Sequence, residues 1–298
     1  MLLRQFGIQS IVEHMQDVNW VWLSSSYLVL LSSYILGSVQ WWMLLQSEGI
    51  LMPWHQALGF YFIGLFFNNF FIGNLGGDVY RMMDVSRYSK NGTGAVATVF
   101  LDRFMGFLVL SGIAVVTAPW ILSHEGSPPY LKLFIGILIG GWICILLFLF
   151  NKKFAKPFAW IVTRVIPEKI TGRGREIYQK IHAFGRDERL FLRVLAISFV
   201  VQSARIFVHY LIGRALGITL PLIIYFLIIP IIATLVSLPV SVGGIGIRER
   251  SGVTLFGMVG LAGVSAFSME FIAYIVNIGC SLPGIVFFIG RSQLQKLK

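Results

Sequence analysis

Charge is what this chain of 298 residues is short of: only 12% of them are Asp, Glu, Lys or Arg, about half the share of a soluble domain. So little charge cannot cover a water-facing surface, which excludes a soluble globular fold. Disorder is excluded too, because it needs few aromatics and high charge density, whereas 14% of this chain is aromatic and 56% hydrophobic. The two cysteines, Cys144 and Cys280, lie inside apolar runs and offer neither a disulfide framework nor a zinc site. None of the five histidines stands three or four residues from another. The glycine-rich GGIGIRE stretch fits neither the dinucleotide fingerprint nor a P-loop. No metal, cofactor or nucleotide is expected, and Met1–Ile11 lacks the apolar core of a cleavable signal peptide.

What is present suits lipid. Mean hydropathy is +0.79, and a helix needs roughly 20 apolar residues to cross a bilayer. Runs of that kind cover about 20–45, 93–122, 130–150, 190–213 and 266–290. The expectation is an all-α, polytopic helical membrane protein. Two further apolar stretches, 57–75 and 220–239, run into glycine breaks at Gly76-Gly77 and Gly243-Gly244-Ile245-Gly246, and then into returning arms. Broken helices survive at membrane depth only against protein or a water-filled cavity, and a pair of them points to inverted repeats around a central site. The expected organisation is one membrane domain over 1–298. It comprises a first half at 20–122, a connecting span at 130–150, a basic loop at 151–189 and a second half at 190–290, with a re-entrant hairpin in each half.

The net charge of +11 is concentrated: residues 151–189 carry ten Lys or Arg against four Asp or Glu. Between apolar spans this reads as a cytoplasmic loop near anionic headgroups, not a nucleic-acid surface. The C-terminus, with Arg291, Lys296 and Lys298, is expected on the same side. The segment KKFAKPFAWIVTRVIP suits either an interfacial helix or a solvated connector. For 57–75, a hairpin from the cytoplasmic side and a full span remain alternatives.

Ionisable residues inside spans need partners or a cavity. Asp102 and Arg103 fall near the middle of 93–122 and, as helix neighbours, point too far apart to pair with each other, so each is expected to reach a different element. Gln202, Arg205 and His209 share one helix face, as do Glu270, Tyr274, Asn277 and Ser281. They read equally as cavity lining or as polar contacts that hold the bundle together. Each glycine break opens a short helix carrying an arginine, Arg81 or Arg248. A helix N-terminus attracts anions, and an arginine near it adds a bidentate phosphate partner. The plainer reading makes Asp78 an N-cap and the glycines tight turns.

The stretches FFNNFFIGNLGGDVYR (66–81), ATVFLDR (97–103) and PVSVGGIGIRE (239–249) resemble the motifs of the lysylphosphatidylglycerol synthase transmembrane region, a flippase-like integral membrane family. The order and spacing agree over nearly the whole chain. The resemblance implies a stand-alone lipid-handling domain without the soluble aminoacyltransferase. Such a protein would move a phospholipid or polyprenyl-phosphate-linked lipid across a bacterial-type inner membrane, beside a glycosyltransferase or aminoacyl-lipid synthase. Its expected lipid- and phosphate-binding residues are Asn69, Asn74, Gly76, Gly77, Asp78 and Arg81, then Ser241, Gly243, Gly244, Gly246, Arg248 and Glu249. The cavity and coupling residues would be Asp102, Arg103, Gln202, Arg205, His209, Glu270, Tyr274 and Asn277. Two alternatives stand beside transport. One is a membrane enzyme or enzyme subunit using Asp78, Asp102 or Glu249 as a general base, and the other is a scaffold whose polar core only holds helices together.

Overall fold

The computed structural model describes residues 18–71, 76–123, 129–150, 168–236, 244 and 246–296. Asn19 starts the first helix, α1 (Trp20–Ser47), by accepting hydrogen bonds from the amides of Val21 and Trp22 at 3.0 and 3.4 Å. Past Glu48 the chain turns at Gly49, whose φ of +70° suits glycine. There the Gly49 amide donates to Gln46 and the Ile50 amide to Leu45, both at 3.0 Å, which satisfies two carbonyls at the helix end. Then come α2 (Trp54–Asn68), α3 (Gly76–Ser89), α4 (Gly92–Ser123) and α5 (Pro129–Phe150). They are followed by α6 (Glu168–Arg186), α7 (Glu188–Ala215), α8 (Leu222–Val236), α9 (Ile247–Gly257), α10 (Gly263–Ser281) and α11 (Pro283–Lys296).

Helix α7 repeats the construction of α1. It is again 28 residues long, and Asp187 caps it by accepting from the Leu190 amide at 3.0 Å. It ends at Gly217 (φ +73°), where the Ile218 amide donates to Gly213 at 2.8 Å. The two long helices pack together and run antiparallel: the Asn19 amide donates to the Ala215 carbonyl at 2.9 Å, and the Ser198 hydroxyl to Gln40 at 2.8 Å. α4 and α10 flank this pair. Among the described residues, four stretches are long and apolar enough to cross a membrane: Trp20–Ser47, Gly92–Thr117, Glu188–Ala215 and Gly263–Gly290. The last passes from α10 into α11 at Leu282-Pro283. The expected span at 130–150 is α5, which lies on α4 with Trp142 donating to the Ser111 hydroxyl at 3.1 Å.

Large apolar side chains stand on the outside of the bundle as well as in its core, while several charged ones are buried. Val116 is 80% exposed and Val286 71%, whereas Arg81 is 4% exposed and Glu270 0%. Exposed valines beside buried charges are what a lipid solvent imposes, since charge is tolerated only inside the bundle.

The basic stretch 151–189 is not wholly a loop. Its first part, with the expected interfacial segment, lies outside the described residues, and its second part is α6. The amphipathic pattern of α6 docks Ile181 and Phe184 against Leu44, Leu101, Met105 and Val194. Lys180 pairs with Glu48 at 2.6 Å, and Thr93 donates to Glu176 at 2.5 Å.

Candidate functional site

Helices α2 and α3 approach so closely that only glycine fits between them. A Cβ on Gly77 would lie 1.8 Å from the Gly64 carbonyl oxygen, and one on Gly64 would lie 2.7 Å from the Arg81 side chain. This contact positions the buried charges of α3. Arg81 donates to Asp102 at 2.8 Å and lies 3.6 Å from Asp78. Its guanidinium sits over the rings of Trp41 at 4.1 Å and Tyr61 at 4.7 Å. Arg103 closes the group by pairing with Asp78 at 2.6 Å. Asp102 and Arg103 therefore do not reach different helices for their ion pairs: both meet α3, one turn apart. Asp102 also accepts from Gln40 at 3.0 Å, which ties α1 into the same network.

These groups form one wall of a cavity of about 590 Å³, a size typical of small-molecule sites. The opposite wall comes from α7, α9 and α10. It carries Gln202, Arg205, His209, Arg248, Glu270 and Asn277. Arg205 lies 5.3 Å from the centre of the Tyr34 ring, and Arg248 lies 5.7 Å from that of Tyr274. Glu270 is 3.6 Å from the His209 ring, and Gln202 donates to the Gly106 carbonyl at 3.1 Å. A chain of amides and hydroxyls joins the walls: Tyr34 donates to Asn277, Asn277 to Asn69 at 2.8 Å, and Asn69 to Ser281 at 2.9 Å.

The cavity thus gathers Asn69, Asp78, Arg81, Asp102, Arg103, Gln202, Arg205, His209, Arg248, Glu270 and Asn277. Tyr274 is not on its surface but meets Arg248. At the glycine breaks two of the described amides already have side-chain acceptors. The Gly77 amide donates to the Asn68 side chain at 2.8 Å, and the Gly246 amide to Glu249 at 2.6 Å. Gly77 serves the packing of α3 on α2 and Gly76 lies against the Phe71 side chain, while Gly244 (φ +79°) and Gly246 (φ +86°) supply a turn few other residues adopt. Glu249 caps its own helix. Asn74, Ser241 and Gly243 lie outside the described residues.

Sequence patterns passed over Tyr34, Gln40, Tyr61, Asn68 and Ser198, all of which line the cavity. Gln40, a lone amide deep in an apolar run, was the one legible signal. The three carboxylates named as possible general bases are all engaged: Asp78 and Asp102 by arginine, and Glu249 by a backbone amide.

Fold and cavity define a polytopic helical membrane protein with charge buried between its spans. Residues 1–284 match the model of the lysylphosphatidylglycerol synthase TM region, and the chain belongs to that family, which is associated with lipid modification and transport. No curated protein matches the chain.

Proposed function

We propose that the protein is a flippase-like transporter in which the phosphate-bearing headgroup of a phospholipid or polyprenyl-phosphate lipid passes through the cavity while its chains stay in the bilayer. The charge inventory carries this reading. The described lining holds four arginines against three carboxylates. Asp102 and Asp78 engage Arg81 and Arg103, so Arg205 and Arg248 remain with no carboxylate in ion-pairing range among the described residues. The Arg205 Nε is buried without a hydrogen-bond partner. Two free guanidinium groups in a low-dielectric cavity suit an anion with several acceptor oxygens.

The repeated construction of the chain supports a mechanism with two inverted halves, α1–α4 and α7–α10. Each begins with a 28-residue helix ended by a positive-φ glycine and continues with a 15-residue helix. In each, a tyrosine hydroxyl of the second helix meets a glycine of the first, Tyr61 with Gly37 and Tyr225 with Gly213. Fifteen residues span only about 22 Å, less than the hydrocarbon core of roughly 30 Å. On this reading α2–α3 and α8–α9 are re-entrant arms. The Lys/Arg-rich 151–189 segment and the C-terminus face the cytoplasm, where anionic lipids attract them. An enzyme that makes or consumes the carried lipid, an aminoacyl-lipid synthase or a glycosyltransferase, is the fitting partner.

The test is reconstitution in vesicles with fluorescent phosphatidylglycerol, lysyl-phosphatidylglycerol or a polyprenyl phosphate, reading how much label a membrane-impermeant quencher reaches. A reachable fraction above that of protein-free vesicles for at least one lipid is expected. No change for any of them overturns the reading.

A further inference from the structure

Glu270 is fully buried, faces the cavity, and neither carboxylate oxygen has a hydrogen-bond donor. It differs in this from Asp78 and Asp102, which arginines hold. Its one partner in ion-pairing range among the described residues is His209 at 3.6 Å. Gly252 gives it room, since a Cβ there would lie 2.7 Å from the Glu270 Cγ. The titratable and charged groups around it are His209 and Arg205 from α7, Arg248 from α9, Tyr34 from α1, Tyr61 from α2 and Tyr225 from α8. The mutually paired Asp78, Arg81, Asp102 and Arg103 lie elsewhere in the cavity lining, and Glu249 of α9 is held by the Gly246 amide. Tyr274 lies on α10 itself, and α11 brings none over residues 283–290.

A buried carboxylate that no N–H or O–H group donates to is stable beside a cation or with a proton on it. We infer that Glu270, with His209 beside it, is a proton-binding site that couples lipid movement to a pH gradient, an inference resting on the transport reading above. The ionised carboxylate shares its cavity with Arg205 and Arg248 and repels a headgroup phosphate from them. A proton taken from cavity water turns it into a neutral acid and removes that repulsion, so phosphate and proton enter together. Release of the proton on the other side restores the carboxylate and expels the phosphate. Carboxylate and imidazole side by side are the groups proton relays in transporters use.

Two measurements test this. Infrared difference spectra of the purified protein between alkaline and acid buffer should show a carboxylic-acid C=O band that Glu270→Gln, a near-isosteric change, removes. An identical band in both proteins overturns the proton site. Vesicles of phosphatidylcholine containing, in turn, fluorescent phosphatidylglycerol, lysyl-phosphatidylglycerol or a polyprenyl phosphate then report the coupling under an imposed pH gradient. One proton per lipid allows about a tenfold leaflet asymmetry per pH unit, reversing when the gradient is reversed. Glu270→Gln should show no gradient response whatever its basal rate, and His209→Gln a weakened one. Wild-type protein that equilibrates the lipid regardless of the gradient overturns the coupling and leaves transport standing. Wild-type protein that moves no lipid at all overturns both.

Discussion

Arg81 and Asp102 meet at 2.8 Å with both side chains more than nine-tenths buried. Through that contact the short helix α3 is locked to α4, while the stacked rings of Trp41 and Tyr61 hold the same guanidinium against α1 and α2. One side chain thus joins four helices. Arg81 is held by two carboxylates, whereas Arg205 and Arg248 have none in ion-pairing range among the described residues.

Removing one partner of this pair is expected to be costly. Asp102→Ala leaves Arg81 with only the longer contact to Asp78, and breaking a buried pair costs about 3–5 kcal/mol. Thermal unfolding in detergent should show a large drop in Tm. A Tm equal to wild type would mean the pair does not hold the bundle.

Arg248→Lys separates ligand binding from stability. The residue has no ion-pair partner among the described residues to lose, so Tm should move little, while the loss of the bidentate fork should slow lipid movement several-fold. Arg81→Lys should do the reverse first, lowering Tm through the lost ring stacking, worth about 0.5–2 kcal/mol.

Glycine positions give a steric test. Gly77→Ala puts a methyl group 1.8 Å from a backbone oxygen, so α2 and α3 must separate, and both folding yield and transport should fall. Gly140→Ala meets nothing within 4 Å and should be neutral or stabilising by up to roughly 1 kcal/mol. Folded yield after detergent extraction compares the two.

The amide chain between the walls should be worth a modest amount. Asn277→Ala removes the acceptor for Tyr34 and a donor to Asn69, and polar contacts between membrane helices contribute about 0.6–2 kcal/mol. A double-mutant cycle with Asn69→Ala, followed by unfolding, should give a coupling in that range. Independent effects would show that the two amides do not share a bond.

Single cysteines report sidedness. With Cys144 and Cys280 replaced, an impermeant maleimide should label Ser127→Cys on intact cells. It should label Gln295→Cys only after permeabilisation, as the Lys/Arg distribution requires. The opposite pattern would invert the proposed topology.

The lipid solvent, the helical class and the long spans were legible in the sequence because each depends only on local composition: charge is too sparse for water, and the apolar runs match bilayer thickness. Polar faces on the later spans were legible as well, because Gln202, Arg205 and His209 recur at helical spacing. The family was readable from three short motifs in order. Which charges meet was not readable. Helix geometry keeps Asp102 and Arg103 from pairing with each other, but only the docking of α3 brings Asp78 and Arg81 to both of them. The glycines at 76 and 77 look alike in the sequence, yet only the tertiary structure sets Gly77 against the Gly64 carbonyl and Gly76 against the Phe71 ring. Arg81 and Arg248 look equivalent beside their glycine breaks, and the tertiary fold gives one of them two carboxylates and the other none among the described residues. Hydropathy and periodicity are properties of neighbouring residues, whereas an ion pair or an unpartnered Glu270 depends on helices far apart in the chain and exists only once they have packed.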